Sequence, residues 1–188
     1  AEAWAAAASA APRDASVHGR RGAALGRVGK WDDARRSYER ATELEPDDAT
    51  FQRGLGEALL RLGRHEDARA SLRQSLRISS EVAATHKLLG EACAALGRTQ
   101  EAMDALRKAL EIDPDYASGY VALGRLYEQS GRAQDAAEQF REASLRFPRD
   151  AEVHAAYGTL LAGLNKHGEA ADALGKAFAL RPNAGDVA

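Results

Sequence analysis

Several kinds of chemistry find little to work with in this sequence. A single cysteine, Cys93, among 188 residues rules out a disulfide within the chain. Aromatic residues make up 6% of the total, too few and too regularly spaced in apolar positions for a row that stacks bases. A formal net charge of −2 gives no electrostatic reason to expect nucleic acid or an anionic membrane surface. No apolar run reaches the ~18 residues that would read as a membrane span, so direct membrane insertion is not expected. There is no His-x-x-x-His pair and no cluster of Cys and His, so no metal site is expected. P-loop and dinucleotide glycine motifs are also missing. The expectation is a non-enzyme without cofactors. Residues 1–14, AEAWAAAASAAPRD, are rich in alanine but lack the basic n-region of a secretory signal. Arginine far outnumbers lysine, which suits a GC-rich bacterial genome and leaves the bacterial cytoplasm and periplasm both open.

What is present is one phrase spoken five times. VGKWDDARRSY (28–38), LGRHEDARASL (62–72), LGRTQEAMDAL (96–106), SGRAQDAAEQF (130–140) and LNKHGEAADAL (164–174) stand 34 residues apart without an insertion. The registers are 15–48, 49–82, 83–116, 117–150 and 151–184, within which positions are numbered 1 to 34. The chain is 45% hydrophobic and 29% charged, a globular composition, and a fixed period of this length marks a stack of like units.

Position 8 is always glycine (Gly22, Gly56, Gly90, Gly124, Gly158) and position 20 always alanine (Ala34, Ala68, Ala102, Ala136, Ala170). A glycine inside a helix costs about 1 kcal/mol against alanine, so its recurrence calls for a packing reason. Small residues at 8, 20 and 27 let paired helices approach closely. Large residues fill the rest, with Tyr38, Leu72, Leu106, Phe140 and Leu174 at position 24. Apolar spacings of three, four and seven are helical in each half. Between the halves, position 15 is Gly29, Gly63, Gly97, Gly131 and then Asn165, the residues that close a helix in the left-handed conformation. Position 16 is basic and position 19 acidic throughout, both signs suiting the adjacent helix dipoles. Pro46, Pro114, Pro148 and Pro182 at position 32, with Ser80 in the second register, stop the second helix.

Small residues at 8 and 20, Leu or aromatic at 24 and Pro at 32 on this period resemble the tetratricopeptide repeat family. The resemblance covers residues 15–184. Residues 1–14 continue the frame backwards, with Trp4 on position 24, Ala7 on 27 and Pro12 on 32, and read as the second helix of a partial preceding repeat. Residues 185–188 are a tail. Arg21 at position 7 and Ser80 depart from the pattern. The resemblance implies an all-α fold, a right-handed α-solenoid of antiparallel helix pairs, with first helices lining a concave groove.

On that arrangement, positions 2, 5, 9, 12 and 13 face the groove. They are Thr50, Arg53, Glu57, Leu60 and Arg61 in the second register, Lys87 and Glu91 in the third, and Ser118, Val121, Arg125, Glu128 and Gln129 in the fourth. Both ends carry small side chains, such as Gly19 and Ala23 or Ala155 and Ala162. Arg53–Glu57, Glu57–Arg61 and Lys87–Glu91 are i,i+4 pairs. They either stabilise their helices by ~0.2–0.5 kcal/mol each or present charge to a partner. The carboxylate clamp known in chaperone-binding members is unsupported, since Glu91 follows Lys87 and Glu57 follows Arg53 where the clamp needs asparagine. An asparagine ladder at position 6 is equally unsupported, because those residues are Arg20, Gly54, Leu88, Ala122 and Ala156.

His18, His86 and His154 share position 4, two registers apart, and read as semi-polar fillers; His65 and His167 fall in the turn. Cys93 at position 11 reads as an inert packing thiol. The leading functional expectation is a scaffold binding a peptide or partner protein in its groove. The alternatives are a structural or oligomerisation module of a bacterial envelope assembly, as in pilus or polysaccharide export, or an accessory region of a larger enzyme. Phe178, Ala171 and Gly175 would lie open on the last helix. The expectation there is that the chain is part of a longer protein or that this end associates with another copy.

Overall fold

The computed structural model describes residues 11–181, which form ten α-helices and no strand. They are α1 (Ala15–Arg27), α2 (Trp31–Leu44), α3 (Ala49–Arg61), α4 (His65–Ile78), α5 (Ala83–Ala95), α6 (Thr99–Ile112), α7 (Ala117–Gln129), α8 (Ala133–Arg146), α9 (Ala151–Gly163) and α10 (His167–Ala179). First helices begin at Ala15, Ala49, Ala83, Ala117 and Ala151, and those from Ala15, Ala49, Ala117 and Ala151 pack against the helix that follows them. The expected partial helix with Trp4 and Ala7, Pro182, and the tail lie outside the described residues. The fold is all-α, built of the helix hairpins of an α-solenoid. It falls into two compact units, Ala1–Ala105 and Leu106–Ala188.

The turn inside each hairpin follows from its residues. Gly29, Gly63, Gly97 and Gly131 have φ between 72° and 75°, and Asn165 has φ 61°, so the left-handed residue sits where the sequence expects it. The N–H of position 16 then reaches back to the carbonyl of position 11: Lys30 to Leu25 at 3.0 Å, Arg64 to Leu59 at 2.9 Å, Arg132 to Tyr127 at 2.8 Å. The N–H of position 15 reaches position 12, as in Gly97 to Ala94 at 3.0 Å. These paired bonds satisfy carbonyls that a helix end would otherwise leave bare. The recurring signs at 16 and 19 do more than complement dipoles, because Arg64–Asp67 and Arg132–Asp135 close to 2.7 Å. Such exposed pairs contribute at most about 1 kcal/mol each.

Four of the hairpins, the first, second, fourth and fifth, are filled by their own position 24. A β-carbon placed on Gly56 would stand 2.6 Å from Leu72 Cγ, and one on Gly158 would stand 2.7 Å from Leu174 Cγ. The glycine is therefore the socket for that side chain. Alanine at position 20 closes the contact, with Ala34, Ala68, Ala102 and Ala136 fully buried. In the first unit, Leu59, Ala68, Leu72, Leu88 and Ala92 form one core cluster. In the second, Leu161, Ala170 and Ala173 pack with Tyr157.

The connections between hairpins use two devices. Asp14, Asp48 and Asp150 accept backbone N–H bonds of the helix each precedes, as from Thr50 at 2.7 Å and Glu152 at 2.8 Å. The position-4 side chain also donates to the position-32 carbonyl six residues earlier: His18 Nε2 to Pro12 at 3.2 Å, His86 to Ser80 at 2.8 Å and His154 to Pro148 at 3.0 Å. These histidines are clasps for the connecting loops rather than mere fillers. Gln52 makes the same bond to Pro46 at 3.4 Å.

Candidate functional site

In the first unit the predicted residues lie on α3 and α5. Thr50 and Arg61 are exposed, while Arg53, Glu57 and Leu60 are half-buried. Leu60 packs against the Leu59–Leu72 core cluster. The Arg61 guanidinium stands over the Trp31 ring at 5.9 Å. Of the three i,i+4 pairs, Lys87–Glu91 closes to 2.7 Å. Arg53 and Glu57 instead bear on the Tyr38 phenol. Burial pushes that phenol above its ordinary range, the Glu57 charge adds to the effect, and Arg53 and Arg27 oppose it. The hydroxyl therefore stays protonated as a donor. The Tyr38 ring rests on two glycines, since a β-carbon at Gly22 would come within 2.9 Å of it and one at Gly54 would collide with it.

The second unit holds a hollow of about 430 Å³ between α7 and α9. Its floor is Phe140, Ala155 and Ala156, and its rim carries Arg125, Glu128, Glu152 and Arg181. Phe140 itself is fully buried and reaches the floor because Gly124, with no side chain, leaves room for its ring. Arg125 and Glu152 face each other across the rim at 3.4 Å, both more than half exposed, so the pair holds little energy and opens easily. Thr159, also on the wall, turns its hydroxyl back to the Ala155 carbonyl at 2.9 Å. The volume falls within the range of small-molecule and side-chain pockets, roughly 300–1,000 Å³. An apolar floor beneath a rim of two cations and two anions suits a side chain with an apolar body and a polar tip.

Of the residues predicted on α7, Arg125 and Glu128 line this hollow. Gln129 is exposed and Ser118 half-buried. Val121 is a correction: it was expected to face a partner, yet it is 2% exposed and belongs to the core. The reason is visible at the matching residue of α1, where the Phe51 ring lies directly over Gly19. Position 5 faces the next first helix. Long side chains such as Arg53 and Lys87 extend past that contact with their charged ends, whereas a short valine stays beneath it.

Phe140, Ala156 and Arg181 complete the hollow and were missed as site residues. The signal for Phe140 was its pairing with Gly124, read only as packing. Cys93 is buried, and burial raises its thiol above the ordinary range while Arg69 pulls it down, which suits a packing role. Among the described residues no group of three or more His, Cys, Asp or Glu could hold a metal ion. No helix among them is long and apolar enough to cross a membrane.

Comparison with known proteins adds two independent likenesses. Two sequence profiles, both described as tetratricopeptide repeat, match residues 20–83 and 93–160, together well over half of the chain. A search of curated proteins by sequence found no match. Among solved structures, the thermophilic TPR protein TTC0263 of Thermus thermophilus superposes with a TM-score of 0.81 at 22% identity, over 91% of this chain and 93% of that one. MamA superposes with a TM-score of 0.69 at 25% identity, over 85% and 93%. YrrB, a TPR protein with an unusual peptide-binding site, gives 0.65 at 22% identity, over 97% and 94%. At these identities the likeness is one of fold. Profile and fold lead to the same place: the chain belongs to the tetratricopeptide repeat family.

Proposed function

We propose that this chain binds a peptide or a segment of a partner protein through the faces of its first helices, and that the α7–α9 hollow receives one side chain of that ligand. Tetratricopeptide repeats are generally scaffolds for protein–protein interaction, typically non-catalytic. The observation that carries the finer reading is the hollow itself, with an apolar floor of Phe140, Ala155 and Ala156 ringed by Arg125, Glu128, Glu152 and Arg181. Peptide binding is a property of YrrB as its structure is described; its likeness to this chain lends only the shared fold.

The rim favours a ligand residue that offers both a donor and an acceptor, or none, over one that brings a single charge. A lone carboxylate would meet Glu128 and Glu152, and a lone ammonium would meet Arg125 and Arg181. A long apolar or aromatic side chain with a neutral polar tip fits best. In the first unit, Arg53 and Glu57 of α3 and the Tyr38 hydroxyl of α2 supply a second set of polar contacts for a ligand that spans that face.

The test is selection of binding peptides from a displayed random library on the 188-residue chain, followed by titration calorimetry. Ala155→Trp fills the hollow, and Arg125→Ala removes one rim cation. Both should weaken selected peptides by roughly tenfold or more, about 1.4 kcal/mol, with the melting temperature nearly unchanged. Peptides that bind both variants as well as the parent would end this reading. The triple change of Arg53, Lys87 and Arg125 to alanine tests the first-helix faces more broadly in the same assay.

A further inference from the structure

We propose that the face of α1 and α3 in the first unit takes an acidic segment of the bound peptide. Two carboxylate side chains, at places i and i+4 of an extended stretch, meet Arg53 at one end and Arg61 with Arg27 at the other. A hydrogen-bond donor at i+2 meets Glu57 between them. The proposal rests on the reading that the first helices bind a peptide, and adds the chemistry of the segment that this unit prefers.

On other faces of the unit, cations are already matched. Arg35 closes on Glu39 at 2.6 Å and Arg64 on Asp67 at 2.7 Å, and on α5 Lys87 closes on Glu91 at 2.7 Å. Arg27, Arg53 and Arg61 differ: among the described residues, no carboxylate stands within ion-pairing distance of any of them. Glu57 lies one helical turn from both Arg53 and Arg61, the same spacing at which Lys87 and Glu91 do meet. Three cations and one anion therefore share a face on which no charge is neutralised by another. An exposed pair within one helix is worth so little that leaving it open costs the fold almost nothing, and the charges remain for a ligand.

These side chains stand at defined stations. The Arg61 guanidinium lies over the Trp31 ring at 5.9 Å, and that ring rests on Gly26, where a β-carbon would meet it at 3.0 Å. Arg27 holds on α1 the position that Arg61 holds on α3, and its charge, like those of Arg53 and Glu57, reaches the Tyr38 hydroxyl. From Arg53 to Arg61 is about 12 Å along the helix, at ~1.5 Å per residue, with Glu57 midway. In an extended peptide, i, i+2 and i+4 share one side, and i to i+4 spans about 13 Å at ~3.3 Å per residue. Acid, donor and acid along the peptide thus match arginine, glutamate and arginine along α3. Guanidinium forks suit carboxylates in particular, since they can bind both oxygens at once. The arrangement asks for no free chain end, and it shares no residue with the α7–α9 hollow.

Selection from a displayed library of random segments, flanked on both sides so that no end is free, tests the idea on the 188-residue chain. Enriched peptides should carry Asp or Glu at both outer places. Their affinity should fall at least about tenfold between ~0.01 M and ~1 M salt, as the screening length drops from about 30 Å to about 3 Å. Arg53→Gln and Arg61→Gln should each weaken them by about tenfold or more, with helical circular dichroism unchanged. Moving a peptide's two acids next to each other should cost as much. Arg53→Glu combined with Arg61→Glu should turn the selection toward Lys and Arg at the same two places, which a merely structural role would not do. Selected peptides without the acidic pair overturn the proposal. So do acidic peptides indifferent to both Gln variants or to the rearrangement of their acids. Acidic peptides that ignore Ala155→Trp and Arg125→Ala refute the hollow and leave this face standing. Peptides that respond to those two changes but lack acids do the reverse, and a chain that enriches nothing overturns both.

Discussion

Replacing Gly56 by alanine should destabilise this protein, against the preference of an isolated helix. Helix propensity alone favours alanine by about 1 kcal/mol. The new methyl, however, would stand 2.6 Å from Leu72 Cγ, 2.8 Å from its Cδ2 and 3.3 Å from the Ala68 carbonyl oxygen. Carbon atoms in contact sit about 3.5–4.0 Å apart, so the overlap is on the order of 1 Å. It falls on a branch point rather than a flexible tip. Leu72 is fully buried, so it has no empty rotamer to take. Overpacking of this kind costs about 1–3 kcal/mol, and the upper part of that range applies. The net expectation is a loss of about 1–2 kcal/mol, or a fall in melting temperature of about 2–8 °C for a chain of this size. Gly175→Ala is the internal reference, being the same substitution in mid-helix with open space around the new methyl. Measured in dilute solution, it should raise the melting temperature by about 2–4 °C. In a Leu72→Ala background, Gly56→Ala should turn favourable, because its obstacle is gone. Thermal unfolding followed by circular dichroism gives all of these. A Gly56→Ala variant as stable as the parent would show that position 8 is not the socket for position 24.

Thr85 is fully buried and its hydroxyl has no partner, whereas Val153 holds the matching place in the last hairpin, equally buried. Thr85→Val should therefore stabilise by about 1 kcal/mol, seen as a higher urea midpoint; a lower midpoint refutes the unsatisfied hydroxyl. Gly97 has φ 72° and Asn165 φ 61°, so Gly97→Val should cost more than Asn165→Gly in the same melts, since a β-branched residue resists positive φ. Glu101 is held below its ordinary value of 4.5 chiefly by its bond from Arg69, with Arg98 adding to it. A carboxylate lowered on folding stabilises fully above its unfolded value and loses that contribution as pH falls through the folded one. Acid unfolding below pH 4.5 should thus be less steep in Glu101→Gln, and an unchanged acid limb would remove Glu101 from the account.

How far the sequence speaks depends on whether a position's meaning is local. The hairpin turn is local: a left-handed residue, two backbone bonds and a basic neighbour occupy consecutive places, so Gly29 through Asn165 declare it at sight. Position 8 was legible as a packing requirement because a helical glycine is costly wherever it occurs. The histidine clasps were not, since a ring at position 4 looks the same whether it fills space or reaches a carbonyl six residues back. Val121 misled for a related reason. A fixed set of groove positions takes no account of side-chain length, and at position 5 length decides whether a residue emerges or is covered. Phe140 shows the limit most clearly: its place as the floor of the hollow depends on Gly124, Ala155 and Ala156 together, three residues on two other helices.

The loop clasps also bear on how such a chain can grow. Donor and acceptor lie on opposite sides of each seam, His86 after it and the Ser80 carbonyl before it. Copying one full period that carries His or Gln at position 4 brings a fresh donor to a fresh acceptor. Lengthening by such units fastens each new seam, while gaining or losing a few residues near one separates the two halves of its catch. That asymmetry suits a gene that changes length in thirty-four-codon steps and is intolerant of smaller slips at the joints.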